Sequence, residues 1–103
     1  MITERQISDI VRILVENVKP EKIILFGSYA KGNPSTDSDL DIAIIKDSSL
    51  PTYKRSIEIR KHLRGLKFPI DLFVFTKEEF QSWEKVRPSL IHDINETGKL
   101  LYG

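Results

Sequence analysis

The sequence predicts a small α/β or α+β domain, a mixed sheet of a few strands covered on one face by helices. Three observations predict it. Apolar residues recur at helical spacing in three stretches, three short apolar runs bounded by Pro, Gly or polar turns stand between them, and helices alternate with strands along the chain. With 103 residues, the chain is sized for one core, so residues 1–103 are expected to form a single domain.

Thr3 with Gln6 forms a capping box, and Ile7, Ile10, Val11, Leu14, Val15 and Val18 then make one buried helical stripe. Pro20 ends it. Residues 22–26 read as a buried strand broken by Gly27, and residues 27–38, with two Gly, a Pro and a Ser-Thr-Asp-Ser cluster, read as a turn followed by a loop. Residues 40–45 form a second strand. Pro51 opens a charged amphipathic helix with Tyr53, Ile57, Leu63 and Leu66 expected inward. A third strand spans 68–75, with Pro69 near its start. Thr76 with Glu79 offers another capping box to a closing helical region carrying Phe80, Trp83, Val86, Leu90, Ile91 and Ile94. That region is broken at Pro88 and ends at Gly98, which suits a left-handed residue. Residues 100–102 are too few to assign.

Composition narrows the function classes. Apolar residues are 40% and charged residues 30% of the chain, the balance of a folded soluble domain. Sixteen Lys and Arg nearly cancel fifteen Asp and Glu, so a net charge of +1 gives no global field to hold a polyanion. Nucleic-acid binding therefore has no compositional support. The absence of Cys removes thiolate metal sites and any disulfide framework, leaving oxygen or His ligands. A charged N-terminal stretch and the lack of a membrane-length apolar run make a cytoplasmic protein, with no membrane partner, the expectation.

The chemistry concentrates in acidic residues. Asp39 and Asp41 stand two apart at the second strand, which puts both carboxylates on one face with Cα atoms about 6.7 Å apart. Like charges so close raise each other's pKa, and a cation is the natural reason to keep them together; an all-oxygen set points to Mg²⁺ or Mn²⁺. Asp71 is the acidic residue inside the third strand. If the second and third strands are neighbours, it joins the pair in a cluster able to hold two Mg²⁺ about 4 Å apart, a phosphoryl-transfer site. Gly27 and Ser28 follow the first strand, where a glycine admits close approach and a helical turn aims free N–H groups at a phosphate. Lys31 adds a charge nearby. Each part alone has a plainer reading: an Asx-type turn for Asp39 and Asp41, an ordinary turn for Gly27-Ser28, a core ion pair for Asp71.

Together, Gly27-Ser28, ten further residues, Asp39-Leu40-Asp41 and a later strand Asp71 resemble the signature of the polymerase-β-like nucleotidyltransferase superfamily. The run Phe26 to Gly32 and the segment Ser38 to Asp41 are similar to its minimal nucleotidyltransferases, and the likeness covers the whole chain. The resemblance implies a small mixed sheet with helices on one face. It implies that Asp39 and Asp41 bind both metals and the triphosphate, that Asp71 binds the catalytic metal beside the acceptor hydroxyl, and that Gly27 and Ser28 hold the β and γ phosphates. Lys31 replaces an Arg common in the family, keeping charge without bidentate geometry. Many members of that family are encoded beside a HEPN-domain protein, and the pair resembles a toxin and antitoxin in which the transferase adds AMP to a tyrosine of the HEPN partner, so the resemblance implies such a partner encoded beside this chain. So small a domain has no room for its own acceptor site, which calls for a partner or a homo-oligomer. The leading expectation is an Mg²⁺-dependent transferase using ATP. The alternative is a non-catalytic antitoxin that only binds its toxin.

Overall fold

A computed structural model describes residues 1–103. Four strands, β1 (Lys22–Phe26), β2 (Leu40–Ile45), β3 (Ile70–Phe75) and β4 (Lys99–Tyr102), form one mixed sheet in the order β3-β2-β1-β4. β1 runs antiparallel to β2 and β4, while β2 and β3 are parallel. Five helices surround the sheet: α1 (Glu4–Val18), the single turn α2 (Ser28–Lys31), α3 (Thr52–Arg60), α4 (Lys77–Trp83) and α5 (Leu90–Thr97). Both expected capping boxes are present, Thr3 with Gln6 and Thr76 with Glu79.

The period of two along the strands divides the apolar residues between two cores. Ile23, Leu25, Leu40, Ile42, Ile44, Ile70, Leu72 and Val74 face α1 and α3, meeting Ile10, Leu14, Val18 and Ile59. Ile24, Phe26, Ala43 and Ile45 face the other way onto Phe80 of α4 and Ile91 and Ile94 of α5. The mixed sheet is as expected, but helices lie on both of its faces and not on one. Each helix's apolar stripe was readable, whereas the side on which a crossing helix lands depends on tertiary connections. No helix is long and apolar enough to cross a membrane.

Leu63 and Leu66 lie inward as expected, but α3 itself reverses the expected polarity. Its inward residues are Arg55 and Ile59, while Tyr53 and Ile57 are exposed. The Arg55 guanidinium donates to the carbonyls of Leu50 and Val74 and pairs with Glu79 at 2.6 Å. Arg60 donates to the Ile70 carbonyl at 3.0 Å. Because Pro69 and Phe75 carbonyls point to β2, those of Ile70 and Val74 point outward, so two arginines occupy the free edge of β3. Gly98 is likewise not left-handed, with φ −74. It is required for space, since a Cβ there would overlap the Ile94 carbonyl and Ile24.

The hydrogen bond from Arg55, chiefly, holds the Glu79 carboxyl below its ordinary range. A depressed carboxylate stabilises the fold above its unfolded pKa and loses that contribution as pH falls through the folded one. Wild-type protein should therefore lose more melting temperature than Glu79→Gln as pH drops from about 5 to about 3; equal slopes would remove the pair as a stabilising contact.

Candidate active site

β1 ends, and β2 and β3 begin, at the same edge of the sheet, so three chemistry-bearing segments converge there. In the ladder Phe26 stands opposite Asp41, and Asp41 stands beside Asp71. Asp39 precedes Asp41 by two residues and shares its face. The row belongs to the face covered farther along by α4 and α5, leaving the carboxylate end uncovered: Asp39 and Asp71 are exposed and Asp41 is half-buried.

Burial, then the charges of Asp71 and Asp39, push the Asp41 carboxyl above the ordinary carboxylate range; when protonated it can donate to Asp71. None of the chain's four ion pairs involves any of the three, so no Lys or Arg relieves this repulsion. The register brings Asp41 and Asp71 within hydrogen-bond reach, but the three side chains do not form the expected three-ligand cluster. Three unpaired hard-oxygen carboxylates on adjacent strands fit a divalent cation chemically.

Gly27 closes the other side. It has φ 76 and ψ −155, a conformation open essentially to glycine alone. A Cβ at this position would also overlap the Asp41 Oδ2. The bare Cα thus lets the phosphate-type turn sit directly against the acidic cluster. Nothing in the sequence disclosed this contact, because it depends on the antiparallel β1 and β2 register. In α2 the N–H groups of Ala30 and Lys31 both return to the Gly27 carbonyl, so those of Ser28 and Tyr29 precede the first helical bond. Lys31 is exposed at the end of that turn. The Tyr29 hydroxyl accepts from the Ile2 N–H at 3.0 Å, tying the turn to the start of α1, a role the sequence did not signal.

A concavity of about 370 Å³ lies at the opposite end of the sheet among Glu21, Lys22, Ile45, Lys77, Phe80 and Glu84. It contains none of Asp39, Asp41 and Asp71. His92 has a structural role: its ring is buried, Nε2 accepts from Arg87 and Nδ1 contacts the Glu84 carbonyl.

A mixed sheet with this turn and these acidic residues defines a nucleotidyltransferase, and the chain belongs to the family Polymerase beta, Nucleotidyltransferase, which residues 8–103 match. Among its relatives, a Methanocaldococcus jannaschii protein provisionally named protein adenylyltransferase MJ0604 is 31% identical over 99% of this chain and 100% of its own. A second from that organism, provisionally named protein adenylyltransferase MJ1215, is 35% identical over 70% of this chain and 88% of its own. A structure of a variant of the toxin-antitoxin MntA-HpeT superposes with a TM-score of 0.64 at 28% identity, covering 93% of this chain and 71% of that one. A toxin-antitoxin with AMP-PNP is similar at a TM-score of 0.60 and 25% identity, covering 93% and 72%. A nucleotidyltransferase, provisionally so called, of Sulfolobus solfataricus shares the fold at a TM-score of 0.62 and 18% identity, covering 91% and 74%.

Metal-free Asp41→Asn protein is expected to melt at or above the wild-type temperature, because the substitution removes a charge that two neighbours repel. A loss of several kcal/mol would make the carboxylate structural.

Proposed function

We propose that residues 1–103 act as a single protein adenylyltransferase domain, moving AMP from ATP to a hydroxyl on a partner protein of HEPN type. The observation that carries the reading is the row of Asp41 and Asp71, with Asp39 beside it, lacking any protein cation and lying against the Gly27 break. Two Mg²⁺ ions, or Mn²⁺, held by Asp39, Asp41 and Asp71, would supply charge neutralisation of the phosphates and of the attacking and leaving oxygens. Gly27, Ser28 and Lys31 would hold the β and γ phosphates through backbone N–H groups and one ammonium. Asp71, on the exposed edge strand, would orient the acceptor. Its hydroxyl oxygen bonds to the α-phosphorus as the bond to the bridging oxygen breaks, the proton passes toward Asp71 and then solvent, and pyrophosphate leaves. ATP as substrate puts the reaction in the cytoplasm.

The relatives named for adenylyl transfer to protein, and the toxin-antitoxin neighbours, support a protein acceptor. A binding-only antitoxin would also have a partner, but it would leave three mutually repelling carboxylates without a use. Calorimetry tests the site: ATP affinity should rise sharply with Mg²⁺ or Mn²⁺, and equal affinity in chelator would contradict the reading.

A further inference from the structure

α3 buries an arginine and exposes a tyrosine and an isoleucine, the reverse of what a helix with a solvated face gains from. Tyr53 is 67% exposed and Ile57 65%, one turn apart on the same face, with Leu50 38% exposed just ahead of them. Single exposed apolar residues are ordinary, but these stand together inside a concentrated field of charge. Residues 52–67 carry six Lys or Arg and one acid, Glu58, leaving ten basic against fourteen acidic residues in the rest of the chain. The near-neutral total conceals this separation. Glu58 is already paired with Lys61 at 2.9 Å, so Lys54, Arg64 and Lys67 have no acidic partner.

α3 packs on the face of the sheet opposite the three carboxylates, but it lines the free edge of the strand that carries Asp71. Arg55 reaches Val74 and Arg60 reaches Ile70, so α3 runs antiparallel along the outer edge of β3. Its basic end lies beside Ile70, the residue before Asp71, and from Val74 back to Asp71 the strand covers only about 10 Å.

We propose that the outward face of α3, centred on Tyr53 and Ile57 with Lys54 beside them and Arg64 just beyond the helix, docks the acceptor protein through an acidic segment with an apolar centre. This rests on the protein-acceptor reading above. A partner docked there lies along the free edge of β3 and reaches around that edge to present its hydroxyl to Asp71 on the other face. The apolar centre favours a protein over a nucleic acid, whose phosphate backbone offers an isoleucine nothing.

The test uses two exposed-surface variants, Tyr53→Ala with Ile57→Ser and Lys54→Glu with Arg64→Glu, and the protein encoded beside this chain as the acceptor probe. Binding is read by fluorescence anisotropy and transfer by labelled AMP. Both variants should melt as wild type does and keep its Mg-ATP affinity. KM and Kd for the acceptor should rise about tenfold or more with kcat unchanged, and wild-type KM should rise with salt more steeply than that of the charge-reversed variant. If the acceptor binds without accepting AMP and the variants weaken that binding, the docking face stands and the transferase reading fails. If wild type and variants transfer with equal KM, the docking face fails and the transferase reading stands. An acceptor neither bound nor modified overturns both. Loss of self-association in the variants without loss of acceptor binding, or displacement of the acceptor by an RNA oligonucleotide, would also overturn the proposal.

Discussion

Asp71→Asn protein is expected to transfer AMP about a thousandfold more slowly than wild type while still binding Mg-ATP. Asp71 stands beside Asp41 across the parallel pair but on the exposed edge strand, open to an incoming acceptor. Its removal leaves Asp39, Asp41 and the Gly27 turn to hold a nucleotide, yet deprives the acceptor hydroxyl of its nearest carboxylate. Parallel calorimetry and labelled transfer check this. Similar transfer rates in the two proteins would show that the third carboxylate has been given the wrong role, even if the reaction itself stands.

Gly27→Ala is expected to lose at least about a hundredfold in transfer, through two effects that a second glycine separates. The left-handed α backbone of Gly32, φ 78 and ψ 15, costs an alanine roughly 1–2 kcal/mol, and the conformation of Gly27, φ 76 and ψ −155, costs it more. At Gly27, with φ +76, the added methyl also drives into the Asp41 carboxylate. Gly32 has nearly the same φ, +78, but a Cβ there meets nothing within 4 Å. Gly32→Ala should therefore show a smaller loss of melting temperature with transfer largely kept, whereas Gly27→Ala should lose both stability and transfer. Equal activity losses would mean that backbone strain, and not displacement of Asp41, disables the enzyme.

The contrast also marks what the sequence could disclose. Strands β1, β2 and β3 and both capping boxes were legible because their chemistry is local: branched residues in short runs, and a hydroxyl three residues ahead of a Gln or Glu. Placing Asp39 and Asp41 on one face needed only the period of two, and Asp71 needed only that β2 and β3 be neighbours, which they are. The strand β4 was not legible, since four residues with Leu100 and Tyr102 exposed acquire their conformation from pairing with β1. The burial of Arg55 was hidden for the same reason. Its partners, the Val74 carbonyl and Glu79, lie 19 and 24 residues away. Periodicity placed Tyr53 and Ile57 inside because it ranks side chains by apolarity, while the fold selected the residue able to cap a strand edge. Gly98 does end α5 as expected, but in an extended conformation, and what requires glycine there is room beside the Ile94 carbonyl and Ile24.

The most direct test of the account is transfer itself. Wild-type protein, Mg²⁺ and labelled ATP are incubated with the protein encoded beside this chain, and the acceptor is followed by intact mass and peptide mapping. The account predicts a mass increase of one AMP group on a hydroxyl side chain, a tyrosine if the partner is of HEPN type, abolished by chelator and by Asp41→Asn. Tight binding of that partner with no transfer from any of the four common triphosphates would contradict it and leave a binding antitoxin in its place.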